Sequence, residues 1–361
     1  MRTLATYRYV VLAEAHFGPE SSKTANSAIR YLPDRVVAVL DSCSDQRTVH
    51  EVLGFGGDIP IVRSFQEGLA HGPNALLIGI APMGGQLPAA WRPVLEAAID
   101  AGLDIVSGLH FALGDDPSLS SRAVARGVTL RDLRREPEQL PISSGRAGLT
   151  ECFTVLTVGT DCNIGKMTAA LQIRAALTAE GLSVGFVATG QTGILIEGRG
   201  IAVDAVKADF IGGAAEQLVL EAAEGNDVVL VEGQGSLVHP GYAGVTLGLL
   251  HGAMPDAMIL CHQPSRRFVN GGVGPSGWMS LPSLSDAIRI NESAIAPLRR
   301  TRVIGISLNT FDLSEDEALA AIAAAESETG LPATDPVRFS AAPLAAAVVS
   351  ACERSRAVVS N

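Results

Sequence analysis

Thr154-Val155-Leu156-Thr157-Val158-Gly159-Thr160-Asp161-Cys162-Asn163-Ile164-Gly165-Lys166-Met167-Thr168, continued by Ala169-Ala170-Leu171-Gln172-Ile173, changes its period across one loop. Up to Val158 the residues are apolar or β-branched, the pattern of a buried strand. From Met167 the spacing is helical, with Ala170, Ile173, Ala176 and Leu177 able to share one face. Strand, glycine-bounded loop, Lys and helix is the layout of a phosphate-binding loop. Its backbone N–H groups and the helix N-terminus face an anion, and Lys166 adds a full charge. An ordinary strand-to-helix turn explains the glycines but not a Lys at the first helical turn. The commonest form of the motif has four residues between its glycines and a Ser or Thr directly after the Lys. Here five intervene, Thr160 to Ile164, and Met167 follows Lys166. That position normally gives a hydroxyl to Mg²⁺, and a thioether is a poor ligand for a hard cation. Thr168 has a hydroxyl, but about 100° further round the helix. The loop from Gly159 to Thr168 is therefore expected to hold phosphates while gripping the metal of nucleotide hydrolysis weakly, and no metal ligands are assigned.

The surrounding sequence reads as two mainly parallel α/β domains. With 361 residues there is material for two cores, and a hydrophobic content of 47% with only 4% aromatics suits aliphatic strands covered by helices. In the second half, Ser183–Thr189, Asp227–Val231, Ala257–Cys261 and Arg302–Leu308 read as strands. The strand from Asp227 ends at Glu232-Gly233, where phosphate-loop enzymes place a carboxylate linked to metal or water. In the first half, Tyr9–Ala13, a helix over Thr24–Tyr31 and Arg35–Leu40 form a βαβ unit with Asp41 after its second strand. The Gly-x-Gly-x-x-Gly fingerprint of dinucleotide binding is missing, so a Rossmann-like scaffold without that cofactor is the plainer reading. Gly84, Gly85 and His110 follow later strands of this half. Residues 131–150, charged and with two prolines, read as a linker. The expected division is a Rossmann-like domain over 1–130, that linker, and a P-loop domain over 151–361.

A net charge of −11 argues against a nucleic-acid partner. Five scattered cysteines without metal spacing fit a reducing cytoplasm. The longest apolar stretch, 244–261, is broken by His251, Pro255 and Asp256, so no membrane span is expected. Gly- and Ala-rich domains of this size often pair, and a homo-oligomer, a dimer, is the expectation.

Gly159-Thr160-Asp161, Gly165-Lys166 and Val231-Glu232-Gly233 resemble the dethiobiotin-synthetase-like branch of P-loop proteins. The whole chain resembles more closely a bacterial family known as a domain of unknown function, with a Rossmann-like N-terminal half and a P-loop C-terminal half. Val158 to Thr168, including Met167, is similar to its loop, and Val231 to Leu237 with His239-Pro240 also match. Some members of that family are assigned as D-glutamate N-acetyltransferases. The resemblance implies acetyl-CoA as acyl donor and an acidic amino acid, D-glutamate, as small-molecule substrate. Met167 agrees, because acyl transfer cleaves no phosphate.

Acyl transfer to an amine needs a base, donors for the oxyanion and a cation for the substrate carboxylates. Glu232 and His239 are the first base candidates, and Asp204 and Asp209, flanking Lys207, come next. Gln191 and Thr192, after a strand end, offer hydrogen-bond donors. Arg199 and Arg266 suit bidentate carboxylate binding, with Arg267 beside the latter, and Asn309 is placed to read a base. Two other readings stay open. One is an ATP- and Mg²⁺-dependent ligase or kinase of the dethiobiotin-synthetase type; the other is a nucleotide-binding regulator.

Overall fold

The computed structural model describes residues 3–80, 82, 85–269 and 277–359. Gly84, which the sequence places after a later strand of the first half, lies outside them. The chain divides into two compact units, Met1–Glu136 with Gln191–Ala205, and Pro137–Gly190 with Val206–Asn361.

The first unit is built on β1 (Tyr9–Leu12), β2 (Val36–Leu40), β3 (Ile61–Val62), β4 (Ala75–Ile78), β5 (Asp104–Ser107) and β6 (Leu130–Asp132). All pairings are parallel, in the order β3-β2-β1-β4-β5-β6. This is the doubly wound order. β1 and β4 are buried at every position, which is why they read as unbroken apolar runs. The charged stretch read as a linker from residue 131 begins with the edge strand β6. Its half-exposed three residues carry no apolar run that would announce a strand.

Asp41, at the end of β2, faces its own chain. Its carboxylate accepts from the backbone N–H groups of Ala15 (3.0 Å), Phe17 (3.2 Å) and Cys43 (3.0 Å). The acid that marks a ribose site in dinucleotide-binding folds here shapes the turn after β1. Gln191 and Thr192, which the sequence places after a strand end, begin a helix, Gln191–Glu197, of this same unit. Ile194 and Leu195 are buried, and that apolar turn outweighs the loop signal of Gly190 and Gly193. Thr192 Oγ1 lies 3.3 Å from Thr24 Oγ1 on the helix Lys23–Tyr31. Gly85 has a φ of +64°, and a Cβ there would come within 2.5 Å of His110, so the His110 ring rests on this glycine.

The second unit contains β7 (Phe153–Gly159), β8 (Val184–Val187), β9 (Val228–Val231), β10 (Ala257–His262), β11 (Arg302–Leu308) and β12 (Ala333–Thr334). They too are parallel, in the order β12-β11-β10-β7-β9-β8. From β7 the chain runs to the edge strand β8, returns to β9 beside β7, and then crosses to β10 on the other side. The loop after β7 therefore stands at the reversal of strand order, flanked by the ends of β9 and β10, where open α/β sheets bind ligands. Every residue of β7 is buried. Among the described residues no helix is long and apolar enough to cross a membrane.

Glu216, on the helix Ala208–Ala223, fixes the start of this unit. Its fully buried carboxylate accepts from Ser144 N (3.1 Å), Ser144 Oγ (2.9 Å) and Arg146 N (2.7 Å). Burial pushes this carboxyl up, but the Ser144 and Arg146 hydrogen bonds outweigh it and hold the group below its ordinary range. A depressed carboxyl stabilises the fold above its unfolded pKa, and that stabilisation disappears as pH falls through the folded value. Glu216→Gln is expected to lower the unfolding free energy at pH 7 by about 1–3 kcal/mol. In urea titrations the gap to the parent should narrow as the pH drops below the ordinary glutamate range.

Candidate functional site

The site is assembled where β7 ends. Asn163 (φ +54°) and Gly165 (φ +105°) turn the loop back so that the helix Lys166–Ala179 starts under it. Lys166 is 6% exposed, and its Nζ donates to Asp161 O at 2.7 Å. Two glycines make room for it. A Cβ at Gly159 would lie 3.1 Å from Lys166 Nζ, and one at Gly233 would lie 3.1 Å from Lys166 Cδ. A Cβ at Gly233 would also come to 1.7 Å from Thr157 O, so the chain leaving β9 passes against the backbone of β7. Gly233 N donates to Thr157 Oγ1 (2.9 Å), and Ser236 Oγ donates to Gly159 O (2.9 Å).

The other side of the loop is held from β10. Thr160 N donates to Cys261 O (3.1 Å), and Thr160 Oγ1 shares a 2.9 Å hydrogen bond with His262 Nδ1. Burial, with a smaller push from the Arg266 charge, lowers His262 to about 4, so its ring is uncharged at neutral pH. Arg266 Nη1 donates to Asp161 Oδ2 at 2.9 Å and to Cys162 O at 2.8 Å, and Asp161 Oδ1 accepts from Cys162 N at 2.7 Å. Burial, then the Asp161 charge, raises the Cys162 thiol. Met167 is buried at 4% exposure, its side chain in the core of the unit. Asn309 approaches the loop from β11: a Cβ on Gly165 would lie 3.9 Å from its own.

Glu232 is 4% exposed. Its Oε2 accepts from Thr189 N (3.0 Å) and Gly190 N (3.2 Å), its Oε1 from Gln234 Nε2 (3.2 Å), and its carbonyl from Thr189 Oγ1 (2.6 Å). The acid thereby joins the ends of β8 and β9, one residue before the glycine that Lys166 lies against. His239 is 6% exposed and stacks on Tyr242, with ring centroids 4.4 Å apart. A ring nitrogen of His239, the Cys162 sulfur and an Asp161 carboxylate oxygen lie within 4.8 Å of one another.

Glu232, His239, Arg266 and the whole of Gly159–Thr168 therefore belong to one unit and converge on one strand end. Asp209 belongs to the same unit but is exposed in the first turn of the helix Ala208–Ala223, where a carboxylate favours the helix dipole. Gln191, Thr192, Arg199 and Asp204 fall in the first unit. There Arg199 is exposed, and Asp204 is ion-paired to Arg134, whose Nε donates to Gly108 O at 2.7 Å. Several residues that shape the site carry little signal of their own in sequence. His262 and Ser236 gain their parts only because β10 and β9 flank β7, whereas Gly233 was visible as a glycine following a strand-end acid.

A doubly wound Rossmann-like sheet followed by a parallel sheet with a glycine-bounded phosphate loop defines a two-domain P-loop protein. The chain belongs to the DUF1611 family. Residues 43–136 match its N-terminal Rossmann-like domain and residues 141–345 its C-terminal P-loop domain, both described as domains of unknown function. A protein of Tritonibacter scottomollicae named D-glutamate N-acetyltransferase is 41% identical over 331 residues, 88% of this chain and 96% of that one. A protein of the same name from Pseudoalteromonas sp. is 39% identical over 277 residues, 76% of this chain and 81% of its own. The crystal structure of a DUF1611 family protein from Anabaena variabilis, 39% identical, superposes with a TM-score of 0.89 over 96% of this chain and all of that one.

Gly233→Ala tests the close approach of β9 to β7. The added methyl has to displace backbone, and the variant is expected to lose about 1–3 kcal/mol of stability, read from its urea midpoint. A parental midpoint would contradict the packing around Lys166.

Proposed function

We propose that this protein is an N-acetyltransferase that moves an acetyl group from acetyl-CoA to the amine of an acidic amino acid, D-glutamate. The name shared by two relatives of about 40% identity supports the reaction. The observation of this chain that carries it is the loop itself. Lys166, the backbone N–H groups and the helix start suit the pyrophosphate of a CoA, while buried Met167 stands where a phosphoryl-transfer enzyme has its Mg²⁺ hydroxyl.

In this reading the loop anchors the nucleotide end of the donor and leaves the thioester to project toward the ends of β8 and β9. The carboxylate of Glu232 attracts the substrate ammonium and accepts its proton. The nitrogen then forms its bond to the acetyl carbon, the carbon–sulfur bond breaks, and the second proton lost by that nitrogen passes to the departing sulfur, so that CoA leaves as its thiol while the proton taken by Glu232 is released to solvent. Arg266 acts on the loop, whose Asp161 and Cys162 it holds, and so keeps the phosphate cradle in shape.

Mass spectrometry of a mixture with acetyl-CoA and D-glutamate is expected to show N-acetyl-D-glutamate, formed at an unchanged rate in EDTA. Turnover that requires ATP and Mg²⁺ and releases ADP would replace this reading by the ligase or kinase one. Lys166→Ala is expected to fold and to weaken CoA binding by about 1.5–3 kcal/mol, the range of a lost charge-assisted hydrogen bond. Glu232→Gln is expected to lower turnover by about 10²–10⁴ with a smaller change in CoA affinity, measured by steady-state kinetics at saturating acetyl-CoA beside calorimetry.

A further inference from the structure

The stretch Ser236-Leu237-Val238-His239-Pro240-Gly241 folds back on itself. Tyr242 and Ala243 donate their backbone N–H groups to His239 O, at 3.3 and 3.1 Å, and the turn carries Gly241 N–H to the imidazole of His239, 3.0 Å from Nδ1. A backbone amide can only donate, so Nδ1 is the acceptor and its lone pair is in use. In a neutral imidazole the nitrogen that accepts is the one without the proton, and the other carries it. The ring proton of His239 therefore sits on Nε2. Stacking on Tyr242 at an interplanar angle of 27° and burial to 6% exposure keep the ring in that pose.

This fixes what His239 can do. A general base has to offer a lone pair to a proton. In His239 one lone pair is taken by Gly241, and the other nitrogen presents an N–H. A ring protonated on both nitrogens would set Nδ1–H against Gly241 N–H. The same arrangement disfavours the ring as a metal ligand, since coordination through Nε2 would require the proton to leave the ring altogether. The neighbourhood agrees with a donor. The imidazole lies beside Asp161 and Cys162, and Asp161 already accepts from Arg266 and Cys162 N.

We infer that His239 is a positioning residue of the phosphate loop, a neutral N–H donor to the anionic oxygens gathered there, and not the base of the reaction. The inference rests on the acetyltransferase reading for its CoA-binding and kinetic arms, and the tautomer of the free protein is independent of it. It assigns the acceptors by chemistry: the Asp161 carboxylate or a phosphoryl oxygen of the CoA that the loop holds.

Two measurements test it on the full chain. The first is nitrogen-15 NMR of the histidine side chains, with His239 assigned by comparison with His239→Gln. The Nε2–H tautomer is expected with and without CoA, and an Nδ1–H tautomer in either state would overturn the inference. The second compares His239→Gln, whose amide N–H can stand in for Nε2–H but cannot act as a base, with His239→Ala. Calorimetry is expected to show His239→Ala weakened toward CoA by about tenfold or more, and His239→Gln retaining most of the parental affinity and turnover. A glutamine variant as inactive as the alanine variant, with parental CoA affinity in both, would make His239 the base and overturn the inference. A parent that binds CoA but forms no N-acetyl-D-glutamate would count against the acetyltransferase reading alone, because the tautomer and the binding comparison are read without turnover.

Discussion

The passage of Gly233 against the backbone of Thr157 is the constraint on which the site depends. At that point a side chain of any size would strike a carbonyl oxygen, and the aliphatic stem of Lys166 lies along the same glycine. Because β9 pairs with β7, the acid before that glycine and the Ser236 after it are delivered to the phosphate loop. Glu232 then ties in β8 through two backbone N–H groups, and His262 and Arg266 bring in the end of β10. The loop is thus held on both flanks by side chains from neighbouring strand ends. A phosphate cradle of this kind is organised by the sheet before any ligand arrives, which lowers the ordering cost of binding.

The electrostatics of the cradle have the same origin. The loop brings Lys166, Asp161 and Arg266 into largely buried positions, where unpaired charge would be costly. The Lys166 ammonium meets a backbone carbonyl, the Asp161 carboxylate meets a guanidinium and its own chain, and His262 is kept uncharged by burial. Met167 fills a core position beneath, so the residue that removes the metal hydroxyl also contributes packing.

Much of this was legible in the sequence because the signals are local. The change of period at Gly159–Lys166 placed the loop, and the apolar runs gave β1, β4, β7 and β9 because those strands are buried on both faces. β3, β6 and β12 were not legible, being two- or three-residue edge strands that have no room for a period. The helix Gln191–Glu197 was hidden for a different reason: its stability comes from Ile194 and Leu195 packing in the first unit, while its own residues read as a glycine-rich turn. Asp204 shows the limit most clearly. Three residues before Lys207 in sequence, it has its ion partner in Arg134, 70 residues away. Asp41 shows the reverse case, in which a position typical of a ribose-binding acid is taken up by backbone donors of the turn after β1 and of its own turn. His239 could be placed in sequence just after the strand end at Glu232, but its position beside Asp161 and the hydrogen bond that Gly241 N–H gives its ring depend on a turn that only the three-dimensional structure shows.

The proposed function requires the loop to hold the phosphates of a CoA without help from a divalent cation. Isothermal titration of the purified protein with CoA and with ATP, each with and without Mg²⁺, measures this directly. CoA is expected to bind with an affinity that Mg²⁺ leaves unchanged, and more tightly than ATP under either condition. Tight, Mg²⁺-dependent binding of ATP with no detectable heat from CoA would contradict it.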